Sequence, residues 1–172
     1  MKLVNKIKHF KKTGIEIFPD ILDKKSCRKY ISELEKILEL RINKGDYVGD
    51  QSNLVLYNFF EENLNLSSLI TLPVINEIME NLIDRDYVLI SNQAKNRMNS
   101  QHYNVNNKSN GLGWHTDGRF VGNDQLKPSL CYTVIIALED FTEHNGSTRY
   151  ISKSHKKNYK PERNENYDFT TL

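Results

Sequence analysis

The residues best suited to chemistry lie in the stretch Trp114-His115-Thr116-Asp117-Gly118. On extended backbone, side chains two positions apart face the same side, so the His115 imidazole and the Asp117 carboxylate can converge on one point. An imidazole and a carboxylate make two thirds of the facial triad of non-haem Fe(II) oxygenases, which keeps metal positions open for substrate and O2. The same two residues also suit a plainer role, a histidine hydrogen-bonded to an aspartate at a strand end. His102, His144 and His155 fall in loop or turn sequence and are expected at the surface. Other chemistries find less support. There is no glycine-rich phosphate loop and no Gly-x-Ser-x-Gly elbow. Ser154 and His155 are adjacent, so on extended backbone their side chains diverge.

The elements that must position this segment follow from periodicity. Met1 to Lys12 carries Leu3, Val4, Ile7 and Phe10 at helical spacing among five lysines. It is expected to form a first helix packed on the domain rather than a secretory signal. Gly14-Ile15-Glu16-Ile17-Phe18 alternates before Pro19 and predicts a short strand. Asp23 is placed to cap a helix running to about Asn43, with Tyr30, Ile31, Leu34, Ile37 and Leu38 on its apolar face and Gly45 ending it. Residues 46–68 show no clear period. Thr71 is the expected cap of a further helix with Pro73 in its first turn.

Strand patterns follow. Tyr87 to Ile90 leads into a stretch that, if extended, sets Ser91, Gln93, Lys95 and Arg97 on one face. Residues 99–113 are rich in Asn, Ser and Gly and predict a loop. Trp114 to Phe120 is a candidate strand, and Ser129 to Leu138 is the strongest one, apolar enough to be buried on both faces. Asn145-Gly146 signals a hairpin turn, after which Thr148 to Ser152 should return antiparallel. Helices first and antiparallel strands later indicate an α+β chain. No repeat or linker divides it, so residues 1–172 are expected to form a single domain.

Composition narrows the function classes. At 172 residues the chain can bury roughly 70% of its unfolded surface without disulfides or a structural metal. Its mean hydropathy is −0.63, and no apolar run reaches the length of a spanning helix, which argues against a membrane protein. The 24 basic and 22 acidic residues nearly cancel, so no overall field favours nucleic acid. Cys27 and Cys131 lie far apart and suggest reduced thiols in a cytoplasmic protein.

Beyond the Trp-His-Thr-Asp-Gly segment, the chain reads Ala137-Leu138-Glu139-Asp140-Phe141-Thr142-Glu143-His144-Asn145-Gly146-Ser147-Thr148-Arg149-Tyr150-Ile151 and then Ser154-His155-Lys156. In order and spacing this resembles the phytanoyl-CoA dioxygenase family of Fe(II)/2-oxoglutarate oxygenases. That family shows an HxD element, a buried strand ending in "AL.D.t..NG", a return strand and a "PGSHK" turn. The resemblance implies a double-stranded β-helix, the cupin-like jelly roll, with the N-terminal helices packed on one sheet. It further implies Fe(II) held by His115 and Asp117, 2-oxoglutarate as cosubstrate with O2, and hydroxylation of a small organic or acyl substrate. By position Thr133 would touch 2-oxoglutarate, although a β-branched residue there also serves simply as a strand former. Gln93, Lys95 and Arg97 lie on the strand where the family places cosubstrate or substrate contacts, and a solvated edge strand would carry the same residues.

Departures from the family pattern are equally specific. No histidine follows His155 to act as third ligand, Arg163 stands too close to the turn to anchor 2-oxoglutarate, and the turn's Pro-Gly is replaced by Ser152-Lys153. These departures lead to the expectation of a domain lacking its C-terminal strands. Such a chain would self-associate or pair with a complementing C-terminal fragment. The alternative is a non-catalytic jelly-roll binding module with a decayed metal site.

Overall fold

Asp23 and Gly45 set the limits of the longest helix, and the physical reason is visible at both ends. In the computed structural model α1 spans Leu3–Thr13, α2 Lys24–Lys44 and α3 Pro73–Leu82. The strands are β1 (Val48–Asp50), β2 (Asn53–Tyr57), β3 (Gln93–Asn96), β4 (Arg149–Tyr150) and β5 (Thr170–Thr171). The structure describes residues 3–50, 53–83, 86–96, 114–117, 131–142, 147–157, 161–162 and 167–172. At the start of α2 the Asp23 carboxylate accepts the Ser26 N–H at 2.6 Å, satisfying a donor the helix cannot. At its end Gly45 turns left-handed (φ 69°). Gly45 N–H then reaches the Ile42 carbonyl at 3.0 Å, and Asp46 N–H the Arg41 carbonyl at 2.9 Å, a Schellman closure.

The chain forms two compact units, one of residues 1–8 and 16–99, the other of residues 9–15 and 100–172. In the first, β1, β2 and β3 form an antiparallel sheet in that order, with Leu56 opposite Ala94 and Tyr57 opposite Gln93. Leu54 and Leu56, two apart on β2, join Ile37 and Leu38 of α2, together with Phe59 and Leu66, in the core. Leu66 is only 1% exposed. Full burial of a side chain of this kind contributes roughly 1.5–3 kcal/mol. Arg41 ties α2 to the end of β2, its Nε donating to Glu62 Oε1 at 2.7 Å and its Nη1 to the Tyr57 carbonyl at 2.8 Å.

The second unit holds β4 and β5, antiparallel, with Arg149 opposite Thr171 and Tyr150 opposite Thr170. A 3₁₀ turn follows at Ser154–Lys156. It abuts the end of α1, where Lys153 N–H donates to the Thr13 carbonyl at 2.8 Å and His155 Nε2 lies 3.2 Å from the Lys11 carbonyl.

Several expectations are corrected. Gly14–Phe18 is not a strand, because its backbone is satisfied locally: Thr13 Oγ1 donates to the Ile15 carbonyl at 2.8 Å and Lys6 Nζ to the Ile17 carbonyl at 2.5 Å. Thr71 does not cap α3. Its hydroxyl bonds back to Ser67 and Ser68, and Leu72 precedes Pro73 at the helix start. Tyr87–Ile90 is irregular, with Val88 and Ile90 79% and 76% exposed, and among the described residues of this stretch only Gln93–Asn96 pairs. Residues 131–138 are irregular too, and Val134 and Ile135 are about half exposed rather than buried on both faces. An apolar run is buried only when strands pair its edges and layers cover its faces, and among the described residues nothing is laddered to it. The expected return strand survives as Arg149–Tyr150 and pairs with β5. The architecture is α+β, with sheets of three and two strands among the described residues, smaller than a jelly roll. The Asn145-Gly146 turn, the 99–113 loop and residues 118–130 lie outside the described residues.

Candidate functional site

Trp114, which opens the His-x-Asp segment, is held by two aromatic contacts. Its ring meets Tyr167 edge-on and Phe169 at a tilt, each with centroids 5.8 Å apart. Such pairs add about 0.5–1.5 kcal/mol beyond area burial. Residues 167–169 run into β5, so the segment's entry is fixed to the small C-terminal sheet.

Next to this anchor, His115 Nε2 stands 3.6 Å from Asp117 Oδ1. That is too long for a direct hydrogen bond, and it is a separation one small ion can bridge. Both side chains are partly open to solvent, 38% and 54% exposed. The other carboxylate oxygen, Asp117 Oδ2, accepts a hydrogen bond from the Thr133 hydroxyl. Cys131, two residues before Thr133, shares its electrostatic surroundings. Partial burial raises the thiol's pKa above its ordinary value, and the Asp117 carboxylate raises it further. His115, Asp117 and Thr133 are thus brought together as a unit. Among the described residues no cluster of three or more His, Cys, Asp or Glu side chains forms a complete metal-binding set.

Gln93 and Lys95 lie on β3 in the first unit, exposed, with Ala94 between them turned to the core. Arg97 lies outside the described residues, as do His102, His144 and Arg163. His155 is taken up at the end of α1. Cys27 and Cys131 are both free thiols, half-buried. No helix among the described residues is long and apolar enough to cross a membrane.

Sequence reasoning passed over four residues that the structure brings to the site: Thr116, Cys131, Arg149 and Lys157. A cavity of about 150 Å³ beside His115 is lined by Thr116, Arg149 and Lys157 among others. Cys131 could have been found from its i, i+2 relation to Thr133 on extended backbone. Arg149 gave no such signal, because the cavity is assembled from segments distant in sequence.

The comparisons with known proteins add one positive finding. The sequence matches the family Phytanoyl-CoA dioxygenase (PhyH) over residues 10–171. No curated protein and no solved structure matches it. Members of this family are dioxygenases, generally dependent on Fe(II) and 2-oxoglutarate, and the family implies a cupin-like fold. The match spans nearly the whole chain and includes the His-x-Asp segment, the Arg149–Tyr150 strand and the Ser154–Lys156 turn: this chain belongs to the phytanoyl-CoA dioxygenase family.

Proposed function

We propose that the chain is a Fe(II)- and 2-oxoglutarate-dependent dioxygenase that hydroxylates a small organic or acyl substrate. His115 and Asp117 serve as iron ligands on a jelly-roll scaffold formed by a single domain. The observation that carries this reading is the convergence of His115 Nε2 and Asp117 Oδ1, 3.6 Å apart, in a member of this family. The donor set suits the group: one imidazole nitrogen and one carboxylate oxygen, borderline and hard, favour a first-row divalent ion with positions left for exogenous ligands. The two free cysteines accord with a reducing compartment, the cytoplasm.

When bound, iron supplies the oxidation, with O2 as oxidant and 2-oxoglutarate decarboxylated to succinate. The chain's own residues perform the positioning. Thr133, assigned by position to 2-oxoglutarate, acts on Asp117, whose Oδ2 it engages while Oδ1 stays directed at His115. Outer hydrogen bonds of this kind orient ligating carboxylates and raise metal affinity. Trp114 and its aromatic partners fix the start of the segment. Gln93 and Lys95, exposed on β3, together with Arg97, are the proposed polar contacts to cosubstrate or substrate.

The test is anaerobic addition of Fe(II) and 2-oxoglutarate, followed by visible absorption. A charge-transfer band that is absent in His115→Ala and Asp117→Ala is expected. A chain that yields no band under saturating cosubstrate would instead be a non-catalytic module of the same fold.

A further inference from the structure

We propose that the exposed face built from the end of α1 and the Ser154–Lys156 turn docks on a membrane surface of anionic phospholipid. Lys11 and Lys12 lie in the last turn of α1, and Lys153, Lys156 and Lys157 belong to or flank the 3₁₀ turn. All five are exposed, and no residue in 9–15 or 151–157 is acidic. Two contacts bring these distant stretches together. Lys153 N–H donates to the Thr13 carbonyl at 2.8 Å, and His155 Nε2 lies 3.2 Å from the Lys11 carbonyl. Gly14 admits the approach, since the His155 ring occupies the space of a Cβ there. Lys11, Lys12, Lys153 and Lys156 carry no salt bridge among the described residues, so their charge is available to a partner.

The kind of partner follows from the type of cation and its setting. With 24 basic and 22 acidic residues overall, the concentration of positive charge here is local. Clusters of about four to eight basic residues are the size that anionic bilayers attract, each charge acting within a Debye length of the surface. All five cations are lysines, point charges on flexible stems that follow mobile headgroups and lack the arginine fork. Nucleic acid fits less well. Phe10, the aromatic residue beside Lys11, is engaged with Tyr132 at 5.8 Å between centroids rather than open to stack on bases. Lys153 adds an independent sign. It keeps its charge at φ 61°, where a side chain is strained and glycine is not. Strain retained in an exposed turn points to a task for the side chain. The face is argued without reference to the iron ligands.

The experiment is co-sedimentation of the full chain with vesicles of phosphatidylcholine alone, and of phosphatidylcholine mixed equally with phosphatidylserine. Binding to the mixed vesicles is expected to be stronger by about tenfold or more at low salt, and to fall as salt rises. Lys153→Gly relieves the strained backbone and keeps the N–H donor, so it removes the charge without endangering the fold. It should weaken binding about fivefold, the share of one lysine. Lys29→Gln takes the same charge from α2 in the first unit and should leave binding nearly unchanged. Melting transitions verify that each protein is folded. Equal binding to the two kinds of vesicle, or equal losses in Lys153→Gly and Lys29→Gln, would overturn the proposal. Preference for a random-sequence DNA duplex over the mixed vesicles, lost in Lys153→Gly, would assign the face to nucleic acid and overturn it as well.

Discussion

Thr133 donates its hydroxyl to Asp117 Oδ2, while the opposite oxygen, Oδ1, faces His115 Nε2 across 3.6 Å. One carboxylate is thereby given two different tasks, an outer oxygen held by protein and an inner one turned to the imidazole. Thr133→Val keeps the branched shape and removes the donor. It is expected to weaken Mn(II) affinity by about tenfold, in line with other lost partners of metal ligands. Thr133→Ser should stay close to the original. Calorimetric titration of the three proteins is the check, and equal affinities would contradict the orienting role.

Lys153 occupies the place where the family's turn has glycine, and it adopts φ 61°, the left-handed conformation glycine favours. A lysine is strained in this conformation, at roughly 1–2 kcal/mol. Lys153→Gly preserves the N–H that bonds to Thr13. After the larger entropy loss of glycine on folding, stability should rise by about 0.5–1 kcal/mol. Chemical denaturation measures it, and a less stable variant would show that the lysine side chain contributes more than its backbone costs.

Gly14 ends α1 with φ 87°, its N–H on the Phe10 carbonyl at 2.7 Å, and the His155 imidazole lies where a Cβ would be. Gly14→Ala should therefore destabilise by about 2 kcal/mol or more, from left-handed strain and collision together. His155→Ala in the same chain removes the collision and leaves the strain. The double variant should recover part of the loss, and a thermal-melt double-mutant cycle would detect this coupling.

Asp23 has its pKa lowered below the ordinary value of 3.8, first by the Ser26 backbone N–H and then by the Ser26 side chain. A depressed folded value means that the cap stabilises above the unfolded pKa and is lost as pH falls through the folded one. The melting temperature of Asp23→Ala should thus lie below that of the original chain at neutral pH. The gap should close as pH drops below 3.8. A gap independent of pH would mean that the charge plays no part in capping.

What the residues disclosed in advance follows the range of the interactions involved. α2 was legible because its stop signals are local: Asp23 bonds three residues ahead, and Gly45 closes on Arg41 and Ile42. Gly14–Phe18 misled because alternation is also compatible with a segment whose carbonyls are claimed by the side chains of Thr13 and Lys6. Residues 131–138 misled for a different reason. Hydrophobicity records that a run prefers burial, while burial itself depends on distant partners, and Val134 and Ile135 remain half exposed. At the candidate site, the closeness of His115 and Asp117 was readable from their spacing, whereas the Thr133 hydroxyl, expected to face 2-oxoglutarate, bonds to Asp117, a contact 16 residues away in sequence. Arg149 reaches the cavity through pairing of β4 with β5, a contact that no local pattern announces.

The most direct measurement is calorimetric Mn(II) binding to the original chain, His115→Ala and Asp117→Ala, each verified as folded by its melting transition. Mn(II) serves as a redox-silent substitute for Fe(II). The original chain should bind one ion, with affinity weakened at least tenfold in either variant, since each removes one of the ligand atoms 3.6 Å apart. Equal affinity in all three proteins would contradict the assignment of His115 and Asp117 as the metal ligands.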